Sequence, residues 1–311
     1  MNVVSRTGRE DIAVVYIAEM SGGRRVEFVE SLQPPIPREK KWVLIVSTLF
    51  GCPIRCRFCD AGGFYRGKLT REEILEQIDY LITRRYPDRK IPAEKFKIQF
   101  ARMGEPAFND EVLDVIEEIP GRYELPGLIL SMSTIAPAGR EPFFDRFLAL
   151  SRWQPPGRFQ FQFSLHTTDQ KSWDWLVPTP KWSFRKMAEY GNAFYRPGGR
   201  KIVINFALIE GMPVDPNVLL EHFSPKVFFI KITPLNPTYA ARRNRISSHI
   251  IPARQEYGII EALKNAGYEV LLSIGDWEEN KIGSNCGQYL LKHLAEKEGL
   301  SDGYIYQPKE L

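Results

Sequence analysis

The sequence predicts an α/β fold, a partial (β/α)6 barrel preceded by an N-terminal β-hairpin. Two observations lead to this class. From residue 42 onward, short apolar runs alternate with segments of helical periodicity, which is typical of a parallel sheet with helical crossovers. Before them, residues 12–30 alternate in polarity around Ser21-Gly22-Gly23, which indicates a hairpin with a glycine turn.

The chain has 311 residues and 43% hydrophobic composition, enough for one large domain or for one domain with a small appendage. We predict a hairpin extension with a proline-rich linker over residues 1–40 and a core over residues 41–311. The predicted core strands are 42–48, 95–101, 127–132, 159–164, 201–208 and 227–233. The predicted helices are 70–85, 109–118, 140–150, 181–190, 215–222 and 252–266, and a strand at 268–273 and a helix from about residue 286 complete the chain.

The first core helix has the clearest boundary. Thr70 and Glu73 have the spacing of a capping box, and Ile74, Ile78 and Leu81 follow at helical spacing. By analogy with complete barrels, we expect the chemistry at the carboxyl ends of the strands.

Charge and hydropathy exclude several classes of protein. The chain carries 42 basic and 38 acidic residues, and its net charge of +4 is too small for a strong general attraction to nucleic acid. It contains no run of 18 apolar residues and no signal-peptide core at its start, so we expect neither a membrane span nor secretion. Clustered cysteines fit a reducing interior, and we therefore predict a cytoplasmic protein.

Three of the four cysteines, Cys52, Cys56 and Cys59, form a C-x3-C-x2-C motif directly after the apolar run 42–46. Iron–sulfur clusters are normally held by four thiolates, so three close cysteines predict a [4Fe–4S] cube with one iron open. This is the motif of radical S-adenosylmethionine (SAM) enzymes. The alternative is structural zinc, which normally needs a second pair of ligands, and the sequence offers none.

Small or polar residues follow the predicted strands, where they would converge on one cavity. Glu105 can accept hydrogen bonds from an ammonium group, although a turn with a solvated glutamate is the alternative. A lone histidine such as His166 is more often structural than a ligand. Asn236 would pair with a ribose hydroxyl or cap its turn. The strand-end segments are Met103–Pro106, Ser131–Thr134, Ser164–His166 and Thr233–Pro237.

The fourth cysteine, Cys286, stands in a polar segment flanked by glycine. A single cysteine is more often a small buried apolar residue than a nucleophile. The polar setting argues against simple core packing. A helix N-terminus at this point would lower the pKa of the thiol and favour the thiolate.

Together these motifs resemble one family, the radical SAM 23S rRNA adenine methyltransferases of the RlmN/Cfr group, over about residues 12–292. The most discriminating motif is Cys286-Gly287-Gln288. The others are the hairpin, Val46–Cys52, Leu69–Gln77, Gly104–Pro106, Leu130-Ser131, Ser164–His166 and Asn236-Pro237.

The resemblance implies a set of roles. The three clustered cysteines would hold the cluster, and SAM would chelate its open iron. Gly104 and Glu105 would meet the SAM amino end. In the family, the cysteine at the position of Cys286 receives a methyl group from one SAM, and a second SAM supplies the radical that activates this group for transfer to adenine. A reductant such as flavodoxin or ferredoxin would supply electrons. The remaining SAM contacts would come from Phe58, Ser131, Ser164, Leu165, His166 and Asn236.

Two departures from the family affect the predicted function. The family has a second catalytic cysteine, which resolves the covalent adduct, seven residues before the cluster motif, where this chain has Ile45. About a dozen residues precede the hairpin, so we expect the family's N-terminal RNA-binding domain to be missing.

Three hypotheses follow from these observations. The sequence favours a radical SAM enzyme of the methylase type that uses Cys286 on a substrate other than ribosomal RNA. This substrate would be a small molecule, a peptide or another nucleotide. The alternative is an RNA adenine C-methyltransferase of the RlmN/Cfr type. The third is a protein that keeps the cluster without turnover, which the polar residues at the strand ends oppose.

Overall fold

The computed structural model describes residues 1–251, 257–284, 290, 305–307 and 309–310. The strands in this part of the chain are β1 (Asn2–Arg9), β2 (Ala13–Glu19), β3 (Arg25–Ser31), β4 (Lys41–Val46), β5 (Leu49–Gly51), β6 (Tyr65–Lys68), β7 (Lys95–Phe100), β8 (Leu128–Thr134), β9 (Phe159–Ser164), β10 (Ile202–Leu208), β11 (Phe228–Pro234), β12 (Val270–Leu272) and β13 (Lys309–Glu310). The helices are α1 (Arg71–Arg85), α2 (Glu111–Arg122), α3 (Glu141–Trp153), α4 (Gln170–Leu176), α5 (Phe184–Phe194), α6 (Pro216–His222), α7 (Tyr239–Arg243), α8 (Gly258–Asn265) and α9 (Glu278–Ile282).

Eleven of these strands form one sheet in the order β12-β11-β10-β9-β8-β7-β4-β3-β2-β1-β13. From β4 to β12 all neighbouring strands are parallel, so their carboxyl ends lie along the same edge. From β4 to β13 the neighbours are antiparallel. The remaining two strands, β5 and β6, pair separately beside the carboxyl end of β4.

The predicted α/β class is confirmed, and the six predicted core strands occur with bounds shifted by at most two residues. The predicted strand at 268–273 is the seventh parallel strand, β12. The predicted helix 181–190 begins at Phe184 instead, because the Ser183 side chain caps it by accepting from the Lys186 N–H. Of the predicted helix 252–266, the described part is α8, and the helix predicted from residue 286 lies outside the described residues.

Several elements were not predicted. Strand β1 pairs with β2 and extends the predicted hairpin to a three-stranded meander. Its sequence contains two arginines and a glycine, so it lacks the apolar pattern that indicates a strand. Helix α4 and the strand pair β5–β6 are short, and short elements give little periodicity. The boundary near residue 40 between extension and core stays a prediction.

Strand β4 shows how the sheet divides its side chains. Trp42, Leu44 and Val46 are fully buried, whereas the alternate residues, including Ile45, are partly buried on the opposite face. The first set belongs to the hydrophobic core together with Ile74, Ile78 and other apolar residues of α1. The second set lies on the inner face of the curved sheet, where the site forms. Among the described residues, no helix combines the length and the apolarity that crossing a membrane requires.

Helix α1 is fixed to the end of β4. Thr70 and Glu73 form the predicted capping box. One turn later, the Gln77 amide accepts from the Ser47 N–H at 2.9 Å and donates to the Ser47 carbonyl at 3.1 Å. Both groups are buried, so these bonds hold the carboxyl end of β4 at a fixed distance from the helix.

A buried ion pair joins the meander to the core. The Arg102 Nε atom, after β7, lies 2.6 Å from a carboxylate oxygen of Glu27 on β3, and the two side chains are 1% and 0% exposed. Arg102 also donates to the carbonyls of Gly283 and Ser284 at 2.7 and 2.8 Å. Glu27 accepts from the Leu290 N–H at 2.7 Å. Burial raises the pKa of Glu27, and the Arg102 guanidinium opposes this shift.

We expect the substitution Arg102→Met to lower the free energy of unfolding by about 3–5 kcal/mol, because it leaves the Glu27 carboxylate buried without its cation. Urea denaturation of the purified protein measures this. The double substitution Arg102→Met/Glu27→Met should recover much of the loss. The matched control is Arg9→Met, which removes an exposed ion pair with Asp11 and should cause no measurable change. Equal effects of the two arginine substitutions would contradict the prediction.

Candidate cluster and cofactor site

The three clustered cysteines lie on the loop that begins where β5 ends. Gly51 has a φ of 82°, and a Cβ atom at this position would stand 1.7 Å from the Phe64 carbonyl oxygen. The next residue, Cys52, donates its N–H to the carbonyls of Ala61 and Phe64 at 2.8 and 3.1 Å. Only glycine fits this close approach without strain, so the glycine at position 51 allows the loop to curl back on itself.

All three thiols are partly buried, and none forms a disulfide with another described cysteine. Burial raises the pKa of Cys52 to about 11. It raises the pKa of Cys56 well above the ordinary value, and the neighbouring Cys59 and Cys52 add to the shift by charge repulsion. Three thiolates in this position therefore need a positively charged group among them, and an iron–sulfur cluster supplies such a group.

In the described part of the chain, no group of three or more His, Cys, Asp or Glu side chains is placed so that it could hold one metal ion. A cluster does not need such an arrangement, because each of three cysteines binds a different iron. The three thiols form no disulfide with a described cysteine and are close enough to repel one another as thiolates, so they fit the cluster better than a mononuclear zinc.

The cysteine loop is tied to the segment that follows β11. The buried Asp60 carboxylate accepts from the backbone N–H groups of Tyr239 and Ala240, at 3.1 and 2.7 Å, where α7 begins. Thr238 donates to the Phe58 carbonyl at 2.6 Å. Since Asn236 lies just before this turn, these bonds fix the distance between the cysteine loop and Asn236.

A cavity of about 350 Å³ opens beside the three cysteines, at the carboxyl ends of the parallel strands. The structure brings most of the sequence-predicted site residues to its wall. Those that line it are Cys52, Cys56, Cys59, Phe58, Gly104, Glu105, Ser164, His166 and Asn236. Ser131 and Leu165 are buried beside them, at 2% and 0% exposure, without lining the cavity. Ile45, at the position of the family's second cysteine, lines it too.

Glu105 is held in place by the end of β8. One carboxylate oxygen accepts from the Thr134 hydroxyl and from the Ala107 N–H, and the other accepts from the Ile135 N–H at 3.0 Å. Burial raises its pKa to about 7, and these hydrogen bonds oppose the shift. A carboxylate offers about four acceptor positions, so one remains for a ligand. The preceding Gly104 has a φ of 97°, and a Cβ there would stand 2.5 Å from the Leu49 side chain.

His166 is a neutral, positioned histidine. Its Nδ1 atom accepts from the Ala207 N–H at 3.0 Å, and burial lowers its pKa to about 4. Its ring packs edge to face against Phe58, with the centroids 4.9 Å apart. Because Nδ1 is the acceptor, the neutral ring carries its proton on Nε2 and can donate it to an acceptor in the cavity.

Besides the Asn205 Oδ1 atom, two side chains in the cavity wall have buried oxygen atoms without a hydrogen-bond partner among the described residues, the Asn236 Oδ1 and the Ser133 Oγ. Buried polar atoms are nearly always paired in folded proteins. Their position beside the cysteine loop is therefore consistent with a polar ligand in this part of the cavity.

The sequence analysis missed a second group of cavity residues, which lie further from the carboxyl ends of the strands. They are Gln99, Gln162, Asn205, Lys231 and Glu279. The sequence contains a signal for Gln99, Gln162 and Lys231, because polar residues alternate with apolar ones in β7, β9 and β11. Asn205 is the single polar residue of β10, so its strand gives no such signal. Parallel strands covered on both faces are normally apolar throughout, and this alternation marks an inner face that is not filled by a core.

Cys286, with Gly287 and Gln288, lies outside the described residues. The chain on either side of this segment is described. Gly283 and Ser284 accept hydrogen bonds from Arg102, and Leu290 donates to Glu27. Arg102 itself lines the cavity.

Comparison with known proteins gives two kinds of similarity. The chain is 30% identical over 193 residues to the "Probable dual-specificity RNA methyltransferase RlmN" of Prochlorococcus marinus (strain MIT 9515), covering 60% of this chain and 51% of that protein. It is 27% identical over 295 residues to the protein of the same description from Thermotoga sp. (strain RQ2), covering 93% and 79%. The chain thus spans about half of the first relative and about four fifths of the second. No protein-family model matches it.

A crystal structure of a radical SAM methyltransferase from Sphaerobacter thermophilus has the same fold. The TM-score is 0.68, with 19% identity over 92% of this chain and 80% of that chain. The predicted resemblance to the RlmN group is therefore confirmed by the sequence relatives, and the predicted fold by this structure.

Glu279 makes the stability of the folded protein depend on pH. Burial raises its pKa to about 7, and it accepts from the Ser31 hydroxyl at 3.2 Å. The folded protein holds this proton more tightly than the unfolded chain, so the contribution of Glu279 to stability falls as the pH rises from about 4.5 to 7. Glu279→Gln stays neutral throughout.

We therefore expect the variant Glu279→Gln to gain stability relative to the wild type as the pH rises, by about 1–3 kcal/mol between about pH 5 and pH 8. Urea denaturation at both pH values measures the difference. Glu261→Gln, at an exposed ion pair with Lys264, is the control and should show no such trend. A difference between Glu279→Gln and the wild type that does not change with pH would contradict the prediction.

Proposed function

Because the chain is related to the RlmN methyltransferases, we propose that it is a radical SAM methyltransferase. Cys52, Cys56 and Cys59 hold a [4Fe–4S] cluster, and SAM occupies the cavity beside them. One observation carries the proposal: three partly buried thiols, none in a disulfide with a described cysteine, line the same cavity as Glu105 and Asn236. When bound, the cluster supplies the electron that cleaves SAM. The cytoplasm as the location and flavodoxin or ferredoxin as the reductant stay part of the proposal.

The chain's own residues bind and orient SAM. The remaining acceptor position of Glu105 receives the ammonium group, and Gly104 lets the ligand approach the backbone closely. The neutral His166 donates through Nε2, and Phe58 packs against its ring and holds it in place. Asn236 and Ser133 pair their buried oxygen atoms with donors of the ligand, and pairing removes the cost of leaving these atoms unsatisfied.

Cys286 carries the methyl group in this proposal, as the resemblance implies. The buried pair of Arg102 and Glu27 forms hydrogen bonds to Gly283, Ser284 and Leu290, the described residues on either side of the Cys286 segment. Ile45 contributes no thiol at the position of the family's second cysteine. Release of a covalent adduct therefore requires an external thiol or another base.

RNA is the substrate class that the sequence relatives support, because the proteins from Prochlorococcus and Thermotoga are described as RNA methyltransferases. This similarity supports the RNA alternative better than the substrate class that the sequence analysis favoured. A small polar substrate is the second candidate. The observation that favours it is the polar inner face of the sheet, with Gln99, Gln162, Asn205 and Lys231 in the cavity wall.

The substitution Cys59→Ala tests the cluster. We expect anaerobically reconstituted Cys59→Ala to lose most of its iron and to form no 5′-deoxyadenosine from SAM and dithionite, because two thiols cannot replace the three-cysteine shell. Iron analysis and chromatography measure both quantities. Asp169→Asn, at the start of α4, is a matched control and should retain both. A wild-type protein without iron after reconstitution would refute the proposed function.

The substitution Cys286→Ala separates SAM cleavage from methyl transfer. We expect the variant to form 5′-deoxyadenosine but no methylated product with a ribosomal RNA fragment, since only the carrier of the methyl group is removed. Mass spectrometry of the RNA and of the protein measures the product and the methylated cysteine. Loss of 5′-deoxyadenosine in the variant would contradict this division of roles, and unmethylated RNA with the wild type would favour the small-substrate candidate.

A further inference from the structure

The inner face of the parallel sheet is lined by amide and ammonium side chains. In complete barrels of this kind, branched apolar residues fill the interior. Here the inner face carries amide or ammonium side chains in β7, β9, β10 and β11. We define the polar floor as five of these residues, Lys97 and Gln99 of β7, Gln162 of β9, Asn205 of β10 and Lys231 of β11.

The strand register shows how these residues are related across the sheet. Asn205 and Lys231 are direct partners in the pairing of β10 with β11. Gln162 is the partner of Val203, two residues before Asn205. All except Lys97 line the cavity, and Lys97 precedes Gln99 by two residues on the same face, one layer deeper.

Positive charge is concentrated at this depth. Burial lowers the pKa of Lys97 to about 7, and the nearby charges of Lys231, Lys41 and Arg200 lower it further. Within the described part of the chain, no acidic side chain forms an ion pair with Lys97. The carboxylate of Glu279, on α9, interacts with Lys231 through its charge. An anion beside Lys97 and Lys231 would relieve the repulsion between the two amines.

Asn205 provides an independent observation. Its side chain is only 8% exposed, and its Oδ1 atom has no hydrogen-bond partner among the described residues. Leaving a buried polar atom unpaired costs about 1–3 kcal/mol. Because the amide faces the cavity beside Lys231, a ligand at this depth can satisfy it.

We propose that the polar floor binds the carboxylate or phosphate group of a small-molecule substrate. This inference rests on the proposed function, because SAM occupies the same cavity nearer to the cysteines. The Lys231 amine lines the cavity and pairs with the anion, and the charge of Lys97, one layer deeper, attracts it. The amide N–H groups of Gln99 and Gln162 donate to its remaining oxygen atoms, and the Asn205 Oδ1 atom accepts from a neighbouring hydroxyl of the substrate. The substrate then lies between the floor and the SAM site.

The shape of the cavity favours a small molecule over an RNA chain. Its volume is about 350 Å³, so beside SAM it has room for a small group and not for a nucleic-acid chain. The floor lies below Gly104, Glu105 and Asn236 at the strand ends, so a group that reaches it passes the SAM-binding residues. A phosphate group inside an RNA strand is joined to nucleotides on both sides, and a cavity of this volume cannot hold them.

Calorimetric titration of the reconstituted protein with inorganic phosphate and, separately, with acetate tests the floor. We expect at least one anion to bind, and Lys97→Met to weaken its binding about tenfold, because the variant removes a positive charge one layer below the cavity wall. The control Lys95→Met removes an exposed lysine from the same face of β7 and should change binding by less than about twofold. Asn205→Asp, nearly the same size but negatively charged, should weaken binding as well and serves as a second variant.

Tighter binding of phosphate would assign a phosphorylated substrate and tighter binding of acetate a carboxylic acid, and either result supports the proposal. Failure of both anions to bind at millimolar concentration would overturn it, as would equal binding by the wild type, Lys97→Met and Asn205→Asp. Competition by an RNA fragment for the Lys97-dependent phosphate site would also overturn it in favour of RNA. Formation of 5′-deoxyadenosine by the wild type is measured separately, and its failure refutes the proposed function whatever the anion titration shows.

Discussion

The parallel arrangement of seven strands is the constraint on which the site depends. Parallel pairing from β4 to β12 brings all their carboxyl ends to one edge of the sheet. Residues separated by more than a hundred positions, such as Cys52 and His166, therefore line one cavity. The hydrogen bonds of Gln77 and Asp60 then fix the loops at this edge, so the cysteines face the strand ends and not the solvent.

The cavity and its surroundings contain several buried ionisable groups. Burial raises the pKa of Cys52, Glu105 and Glu279 and lowers that of Lys97 and His166, so in each case it disfavours the charged form. Such shifts cluster at functional sites because a ligand of opposite charge restores the charged form. Arg102 and Glu27 differ, since they satisfy each other within the fold. That pair is structural, and the other groups are arranged for ligands.

The sequence analysis found the site residues that belong to motifs and missed those that do not. Cysteine spacing marks the loop of Cys52 without any knowledge of the fold. Gln99 and Lys231 form no motif, and their role depends on a cavity that exists only once the strands curve around it. Thr134, at the end of β8, donates its hydroxyl to Glu105 and helps to position it. Such a bond joins two strand ends, and sequence spacing does not reveal it.

The sequence by itself determined the order of the six core strands and of most helices between them, the cysteine motif and the family resemblance, because each of these is encoded in local periodicity or in fixed spacing. Tertiary structure alone decided that β1 extends the hairpin, that Arg102 pairs with Glu27, and that amides and lysines form the floor of the cavity. The physical reason is that pairing, burial and shared charge depend on distances between residues far apart in the chain, which folding sets and local pattern does not.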